Sequence, residues 1–201
     1  MKALITELGG EANSTSSTLR SDEVPGLSGT KDGVVRPAAD FPEDVFTVNV
    51  VTGTVGDIVI VTGSVNWRDD FAGQGAPVDI AALRFSTNCG TLSDLTSTST
   101  SVSGVATDRT TLRDAGVGTN APIWNVDAIT DGFENQVDRG SFQATYDVST
   151  CGTTPVQAAF DYEGNQRGVI TSVSASFAGL TVGYDNPGLT LRKSTQPITV
   201  N

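Results

Sequence analysis

Apolar residues recur at every second position in several runs after Val45, and this alternation constrains the fold more than any other feature. The clearest run consists of Phe142, Ala144, Tyr146 and Val148. A second run follows it and consists of Val156, Ala158, Phe160 and Tyr162. Because a period of two places alternate side chains on opposite faces of a strand, both runs predict half-buried β-strands. We expect these two strands to form a hairpin.

Similar runs before and after these strands extend the pattern to eight to ten short strands. Phe46 to Val50 and Ile58 to Trp67 predict two strands joined by a turn at residues 52–57. Further runs lie at residues 81–85, 124–128, 169–177, 180–184 and 189–200. The sequence therefore predicts an all-β domain of about eight strands, a single jelly roll or β-sandwich, and leaves a closed barrel open. The one helix we expect spans residues 108–115.

The first 40 residues lack any sustained apolar period. Gly9-Gly10, the polar run from Asn13 to Thr18 and Pro25-Gly26 are typical of a segment that cannot offset the entropy lost on ordering. We therefore divide the chain into an irregular N-terminal arm, residues 1–40, and a β-sandwich domain, residues 41–201. The arm would become ordered only against a partner.

The charged residues are biased toward the types favoured in concentrated salt. Seventeen of the 23 acids are Asp, and nine of the 12 bases are Arg. In molar salt the Debye length falls to about 3 Å, so a net charge of −11 causes little self-repulsion. The bias predicts a protein of a high-salt environment, and an ordinary acidic protein is the alternative.

The distribution of charge excludes one class of partner and marks one segment. Twelve scattered bases offer no surface for the phosphates of a nucleic acid. Residues 151–201 hold three acids and three bases, whereas the preceding 100 residues hold 12 acids and five bases. We expect the neutral last quarter to form core strands or a surface covered by a neighbouring subunit.

Few forms of catalysis fit this composition. The chain has no histidine, which excludes triads and zinc sites built on imidazole. It also has no Gly-x-Ser-x-Gly, P-loop or dinucleotide-binding motif. Asp161 and Glu163 are the most suggestive carboxylate pair for glycoside hydrolysis, but their position beside Gly164 favours a solvated hairpin tip. The sequence thus predicts a protein that is not an enzyme and uses no cofactor.

Clustered carboxylates provide weak candidates for a calcium site. Asp69 and Asp70 precede a loop, and Asp127 lies near Asp131 and Glu134. Hard cations need only carboxylate and carbonyl oxygens, but neither cluster has the spacing of a known calcium loop. A hydrated acidic surface explains both clusters equally well.

Cys89 and Cys151 are the only cysteines, and each begins a Cys-Gly-Thr sequence directly after a predicted strand. Both could therefore lie at one end of a sandwich. A disulfide between them would close a loop of roughly 60 residues and stabilise the fold by about 4 kcal/mol. Two free thiols are the alternative, because residues 1–8 lack the apolar core of a secretory signal.

An acidic, histidine-free, Thr- and Val-rich β-domain with a polar N-terminal arm resembles the small major capsid proteins of icosahedral, internal-membrane viruses of haloarchaea. The resemblance covers size, composition and strand pattern over residues 41–201. It implies a single vertical jelly roll in a virion, with copies of itself, a second related capsid protein and an internal viral membrane as partners. The protein would be made in the host cytoplasm.

Two further functions fit the same pattern. One is an extracellular carbohydrate-binding or adhesion β-sandwich of a halophile, with a stacking platform drawn from Trp67, Trp124, Tyr146, Tyr162 and Tyr184. Exposed coplanar aromatic rings would favour sugar binding, whereas rings buried between sheets with long paired edges would favour the shell. The other is an accessory head or tail protein of a halophilic tailed virus.

Overall fold

A computed structural model describes residues 2–7, 9–20, 29–31, 34–36, 44–67, 78–86, 89–101, 103–127, 130–131, 134–135, 139–165, 169–185 and 190–200. Helix α1 spans Lys2–Glu7. The strands are β1 (Glu11–Arg20), β2 (Gly29–Lys31), β3 (Val34–Arg36), β4 (Asp44–Val55), β5 (Ile58–Trp67), β6 (Asp79–Phe85), β7 (Thr91–Thr100), β8 (Ala106–Thr107), β9 (Thr110–Asp114), β10 (Ile123–Val126), β11 (Thr130–Asp131), β12 (Glu134–Asn135), β13 (Arg139–Asp147), β14 (Val156–Asn165), β15 (Ile170–Ser176), β16 (Gly179–Tyr184), β17 (Thr190–Ser194) and β18 (Ile198–Val200).

Two antiparallel sheets contain most of these strands. The first sheet has the order β1-β4-β5-β13-β7-β8, and the second has the order β17-β14-β6-β10-β9, with β18 also paired to β14. Three two-stranded sheets, β2-β3, β11-β12 and β15-β16, complete the described part. The predicted all-β sandwich is confirmed, and so is the β4-β5 hairpin, whose turn is Gly56-Asp57.

The apolar core lies between the facing surfaces of the two sheets. On β13, Phe142, Ala144 and Tyr146 are fully buried, and the residues between them are half-buried. The largest fully buried side chains are aromatic and are Trp124, Tyr146, Tyr162, Phe46, Phe85, Phe142 and Phe160. The alternation in the sequence therefore identifies the core-facing residues of these strands.

The predicted hairpin of the two most regular runs is wrong. β13 pairs with β5 and β7 in the first sheet, whereas β14 pairs with β6, β17 and β18 in the second. Between β5 and β14 the chain changes sheet several times, with β5, β7 and β13 in the first sheet and β6, β10 and β14 in the second. Strands that face one core from opposite sheets have the same apolar period as strands of a hairpin, so periodicity does not distinguish the two arrangements.

A third layer covers the outer surface of the second sheet. The β15-β16 hairpin packs Ala175 and Leu180 against Ile80, Ala82 and Ile123, and these side chains form a small second apolar cluster. The neutral C-terminal quarter thus supplies a central strand, β14, and a hairpin that covers the sheet. This placement accounts for its lack of net charge.

Two further expectations differ from the structure. Residues 11–20 of the supposedly irregular arm form β1, because β4 of the same chain supplies a backbone partner along all ten residues. The expected helix at residues 108–115 is wrong, since residues 110–114 form β9 and pair with β10. The division at residue 40 lies outside the described residues and stays a prediction. No helix in the described part is long and apolar enough to cross a membrane.

Candidate binding site

The outer surface of the first sheet carries a regular array of uncharged polar side chains. Three rows cross β4, β5, β13 and β7, and they are Thr47, Asn66, Arg139 and Thr100; Asn49, Ser64, Ser141 and Thr98; and Val51, Thr62, Gln143 and Thr96. On β1 the rows continue with Thr18, Ser16 and Ser14 respectively. Thirteen of these 15 side chains are uncharged hydroxyls or amides. We call this array the hydroxyl–amide face.

Cross-strand hydrogen bonds show that these side chains share one surface. The Thr18 and Thr47 hydroxyls lie 2.9 Å apart. Asn49 Nδ2 donates to Ser64 Oγ at 3.5 Å, and Thr62 Oγ1 donates to Gln143 Oε1 at 3.5 Å. Hydroxyl and amide groups offer both donors and acceptors. The face can therefore bind a ligand whose own groups both donate and accept.

A groove of about 570 Å³ runs across one end of the hydroxyl–amide face. The first two rows line it from β4 to β7, together with Val65, Ser99 and Gly140. Its volume lies within the range of pockets that hold small ligands. Strand pairing fixes the positions of the lining side chains, because all of them lie on strands of one sheet.

The groove differs in charge from the rest of the protein. Among the residues that the structure describes, Arg139 is the only charged one that lines the groove, and no carboxylate does. The whole chain, by contrast, has a net charge of −11. A region without acids on such a protein favours an uncharged polar ligand over a cationic one.

The calcium candidates do not come together in the described part of the chain. Asp127 is half-buried, and its Oδ2 lies 3.1 Å from Nη1 of Arg109. Asp131 belongs to β11, although its side chain lies outside what the structure describes, and Asp69 and Asp70 lie entirely outside it. Among the described residues no group of three or more potential metal ligands occurs.

The expected solvated tip at Asp161 and Glu163 is wrong, because both residues are buried. They share the outer face of β14, as the spacing of two predicts, but the β15-β16 hairpin covers that face. Asp161 Oδ2 lies 2.7 Å from Nε of Arg84, and Glu163 Oε2 lies 3.6 Å from Nη1 of Arg192. Burial raises the pKa of the Glu163 carboxyl, although the Arg192 charge opposes the shift. The pair anchors the hairpin instead of meeting solvent.

The aromatic stacking platform is also not formed. Trp67, Trp124, Tyr146 and Tyr162 are buried between the sheets, and Tyr184 is half-buried on β16. The Tyr162 hydroxyl donates to Oδ2 of Asp79 at 2.6 Å and accepts from Nε1 of Trp67 at 3.3 Å. Burial first, and then the Asp79 carboxylate, raise the pKa of the Tyr162 hydroxyl well above its usual value. These rings stabilise the core.

Cys89 and Cys151 form a disulfide, with their Cα atoms 5.1 Å apart. Cys89 lies just before β7, and Cys151 lies in the loop between β13 and β14. The bond therefore links the start of a strand of the first sheet to the loop through which the chain crosses to the second sheet. Sequence reasoning brought these two residues together. It missed the hydroxyl–amide face, whose only signal was the outward residues of alternating strands, such as Thr96, Thr98 and Thr100.

Comparisons with known proteins give no family assignment. No family model matches the chain, and no curated protein matches it. Solved structures with a related arrangement include the KRT10-binding region domain of the pneumococcal serine-rich repeat protein PsrP, at 13% identity and a TM-score of 0.41, covering 92% of this chain and 99% of that one.

Two other solved structures are more distant. One comes from work on pH-induced modulation of Streptococcus parasanguinis adhesion by Fap1 fimbriae, at 9% identity and a TM-score of 0.33, with 92% of this chain and 95% of that chain covered. The other is named BspA_C_mut, at 11% identity and a TM-score of 0.33, with 75% and 53% covered. Likeness of this degree carries no argument about function.

Proposed function

We propose that the chain is a non-catalytic binding domain of the adhesion type, which holds an uncharged polysaccharide against the hydroxyl–amide face. The observation that carries the proposal is the groove across this face, whose described lining consists mainly of hydroxyl and amide side chains, with Arg139 as its one charge and no carboxylate. Sugar hydroxyls both donate and accept hydrogen bonds, as do the Ser, Thr and Asn side chains of the groove. The disulfide between Cys89 and Cys151 supports an oxidising location. Adhesion takes place outside the cell, which is such a location.

The affinity of such a site should be low. Four net hydrogen bonds of about 1 kcal/mol each correspond to a Kd of about 1 mM. The described lining contains no aromatic ring on which a sugar could stack. Useful adhesion would therefore depend on several copies binding one polymer at once, which raises the apparent affinity without new contacts.

Binding of the full chain to immobilised dextran and mannan by surface plasmon resonance tests the proposal. We expect millimolar binding to at least one polymer by the unchanged protein. Ser64→Leu combined with Ser141→Leu should weaken it at least tenfold, because both hydroxyls line the groove. Ser174→Leu, on the exposed surface of β15, is the matched control and should bind normally. Normal binding by the double variant, or none by the unchanged protein, would contradict the proposal.

A shell subunit of a virion is the second candidate function. One support is the burial of the aromatic residues between the sheets. The other is the position of β1, an edge strand of the first sheet that pairs with β4 alone among the described strands. Exposed strand edges invite pairing with neighbouring chains. Light scattering in low and in molar NaCl tests this function. Particles that form only in molar salt would support it, and monomers under both conditions would exclude it.

A further inference from the structure

Few buried side chains attach strand β1 to the sandwich. Of its ten residues, Leu19 alone is fully buried, at 4% exposure. By contrast, alternate residues along β5 are buried from Val59 to Trp67. The attachment of β1 therefore depends mainly on the backbone hydrogen bonds of its ten-residue register with β4.

Helix α1 adds one more apolar contact to this N-terminal unit. Ile5 is buried at 2% exposure, and its side chain occupies the space over Gly53 of β4. A Cβ atom at Gly53 would lie 2.0 Å from Cδ1 of Ile5, so the glycine is what admits it. The unit from α1 to β1 is thus held by Ile5 near one end of β4 and by Leu19 near the other. The side chains from Asn13 to Thr18 between them are polar.

The chain between β1 and β4 is long enough to reach a neighbouring molecule. Residues 21–43 separate the two strands, and Gly29 to Arg36 fold back on themselves as β2 and β3. The remaining 15 residues can extend about 50 Å. β1 itself is about 33 Å long at its ten residues. The connection therefore does not force β1 to pair with β4 of its own chain.

We propose that β1 exchanges between two copies of this chain, so that β1 of each copy pairs with β4 of the other. The exchanged dimer retains the ten-residue register, the contact of Leu19 opposite Phe46 and the packing of Ile5 on Gly53. Since the contacts are the same in both states, protein concentration decides between them. Ser14, Ser16 and Thr18 of the hydroxyl–amide face then come from the partner copy. This inference does not depend on what the face binds.

Cysteine crosslinking between two distinguishable chains tests the exchange. Ser16 lies directly opposite Asn49 in the register, a separation that a disulfide can span. One full-length chain carries Ser16→Cys, and a second chain with an affinity tag carries Asn49→Cys. The two are unfolded, mixed, refolded at high concentration and then oxidised. We expect a covalent heterodimer on non-reducing gels, with the bond between positions 16 and 49 identified by mass spectrometry.

Two controls make every outcome informative. A chain with Ser172→Cys, on the exposed surface of β15, should give no crosslink with the Ser16→Cys chain above background. A single chain with both Ser16→Cys and Asn49→Cys should crosslink completely. The proposal would be overturned if the chain with both changes crosslinks completely while the Ser16→Cys and Asn49→Cys chains form no heterodimer at any concentration. Failure of that chain to crosslink would contradict the β1-β4 pairing and the proposal with it.

Discussion

The carboxylate of Asp161 lies 2.7 Å from Nε of Arg84, and both side chains are buried between the second sheet and the β15-β16 hairpin. The same two residues hold the turn of the hairpin. Arg84 Nη1 donates to the carbonyl oxygen of Phe177 at 2.6 Å, and the backbone N–H of Leu180 donates to Asp161 Oδ2 at 3.1 Å. The ion pair therefore joins two layers of the molecule.

Asp161→Ala should lower the free energy of unfolding by about 3–5 kcal/mol, because it leaves the Arg84 charge buried without its partner. Arg84→Ala should have a similar effect. The double variant should lose less than the sum of the two, since it leaves no uncompensated charge. Guanidinium unfolding of the four proteins measures this coupling. Asp94→Ala on exposed β7 is the control and should change stability by less than about 0.5 kcal/mol. Additive losses would contradict the coupling.

The ion pair of Asp161 and Arg84 shows which features of this region can be predicted from the pattern within one strand and which cannot. The spacing of Asp161 and Glu163 correctly places both on one face of β14, because strand periodicity is a property of neighbouring residues. Their burial depends on a hairpin that returns over the second sheet and on Arg84, which lies 77 residues earlier in the chain. No pattern within one strand contains that information, so the sequence favoured solvent exposure.

Glu163→Gln should change the pH dependence of stability. Burial raises the pKa of Glu163 in the folded state. From about pH 4 upward the unfolded chain loses this proton first, so the contribution of Glu163 to stability falls as pH rises toward the folded pKa. Glutamine does not titrate. We expect the stability of the variant relative to the unchanged protein to be greater at pH 7 than at pH 4, by urea unfolding. An equal difference at both pH values would contradict the raised pKa.

Removing the disulfide should destabilise the fold by about 4 kcal/mol on the chain-entropy model, for a sequence separation of 62 residues. The change is Cys89→Ser combined with Cys151→Ser, and guanidinium unfolding measures it. The unchanged protein under reducing conditions should lose a similar amount, which separates loss of the bond from the effect of serine. If alkylation without reductant labels two thiols in the purified protein, the bond is not formed.

Alkaline pH should unfold the protein through its buried tyrosines. Burial raises the pKa of Tyr146, and burial together with Asp79 raises that of Tyr162. Above about pH 10 the unfolded chain loses these protons while the folded chain keeps them. The free energy of unfolding should then fall by about 1.4 kcal/mol per pH unit for each tyrosine. Urea unfolding between pH 9 and pH 11, roughly spanning the tyrosine pKa, should show a smaller slope for Tyr146→Phe. An unchanged slope would contradict this.

Periodicity identified the core but not the partners of each strand. Phe142 and Phe160 are both in phase with the apolar pattern, and their rings stack with centroids 5.6 Å apart. They do so from opposite sheets, because the chain crosses the sandwich between them. Which sheet a strand joins depends on pairing between distant residues, and an apolar period of two is the same in either sheet.

Gly63 illustrates a constraint that becomes visible only with the partner strand in place. It lies on the core side of β5, directly opposite Phe142 in the register, and the ring of Phe160 from the other sheet fills the space above it. A Cβ atom at Gly63 would lie 2.1 Å from Cδ2 and 2.5 Å from Cγ of Phe160. Both ring atoms are near the backbone of Phe160, so the ring cannot turn aside without displacing β14.

Gly63→Ala should therefore lower the free energy of unfolding by about 1–3 kcal/mol, as overpacking of a full core does. Gly140→Ala is the matched control on a neighbouring strand. Its Cβ would lie 3.0 Å from the outer ring atoms of Phe142, so its cost should be smaller. Phe160→Ala removes Cγ and the ring atoms that a Cβ at position 63 would meet, and combining the two changes should cost less than their sum. If urea unfolding gives additive losses, or a larger loss at Gly140, the close approach of Phe160 to β5 is not what requires glycine at position 63.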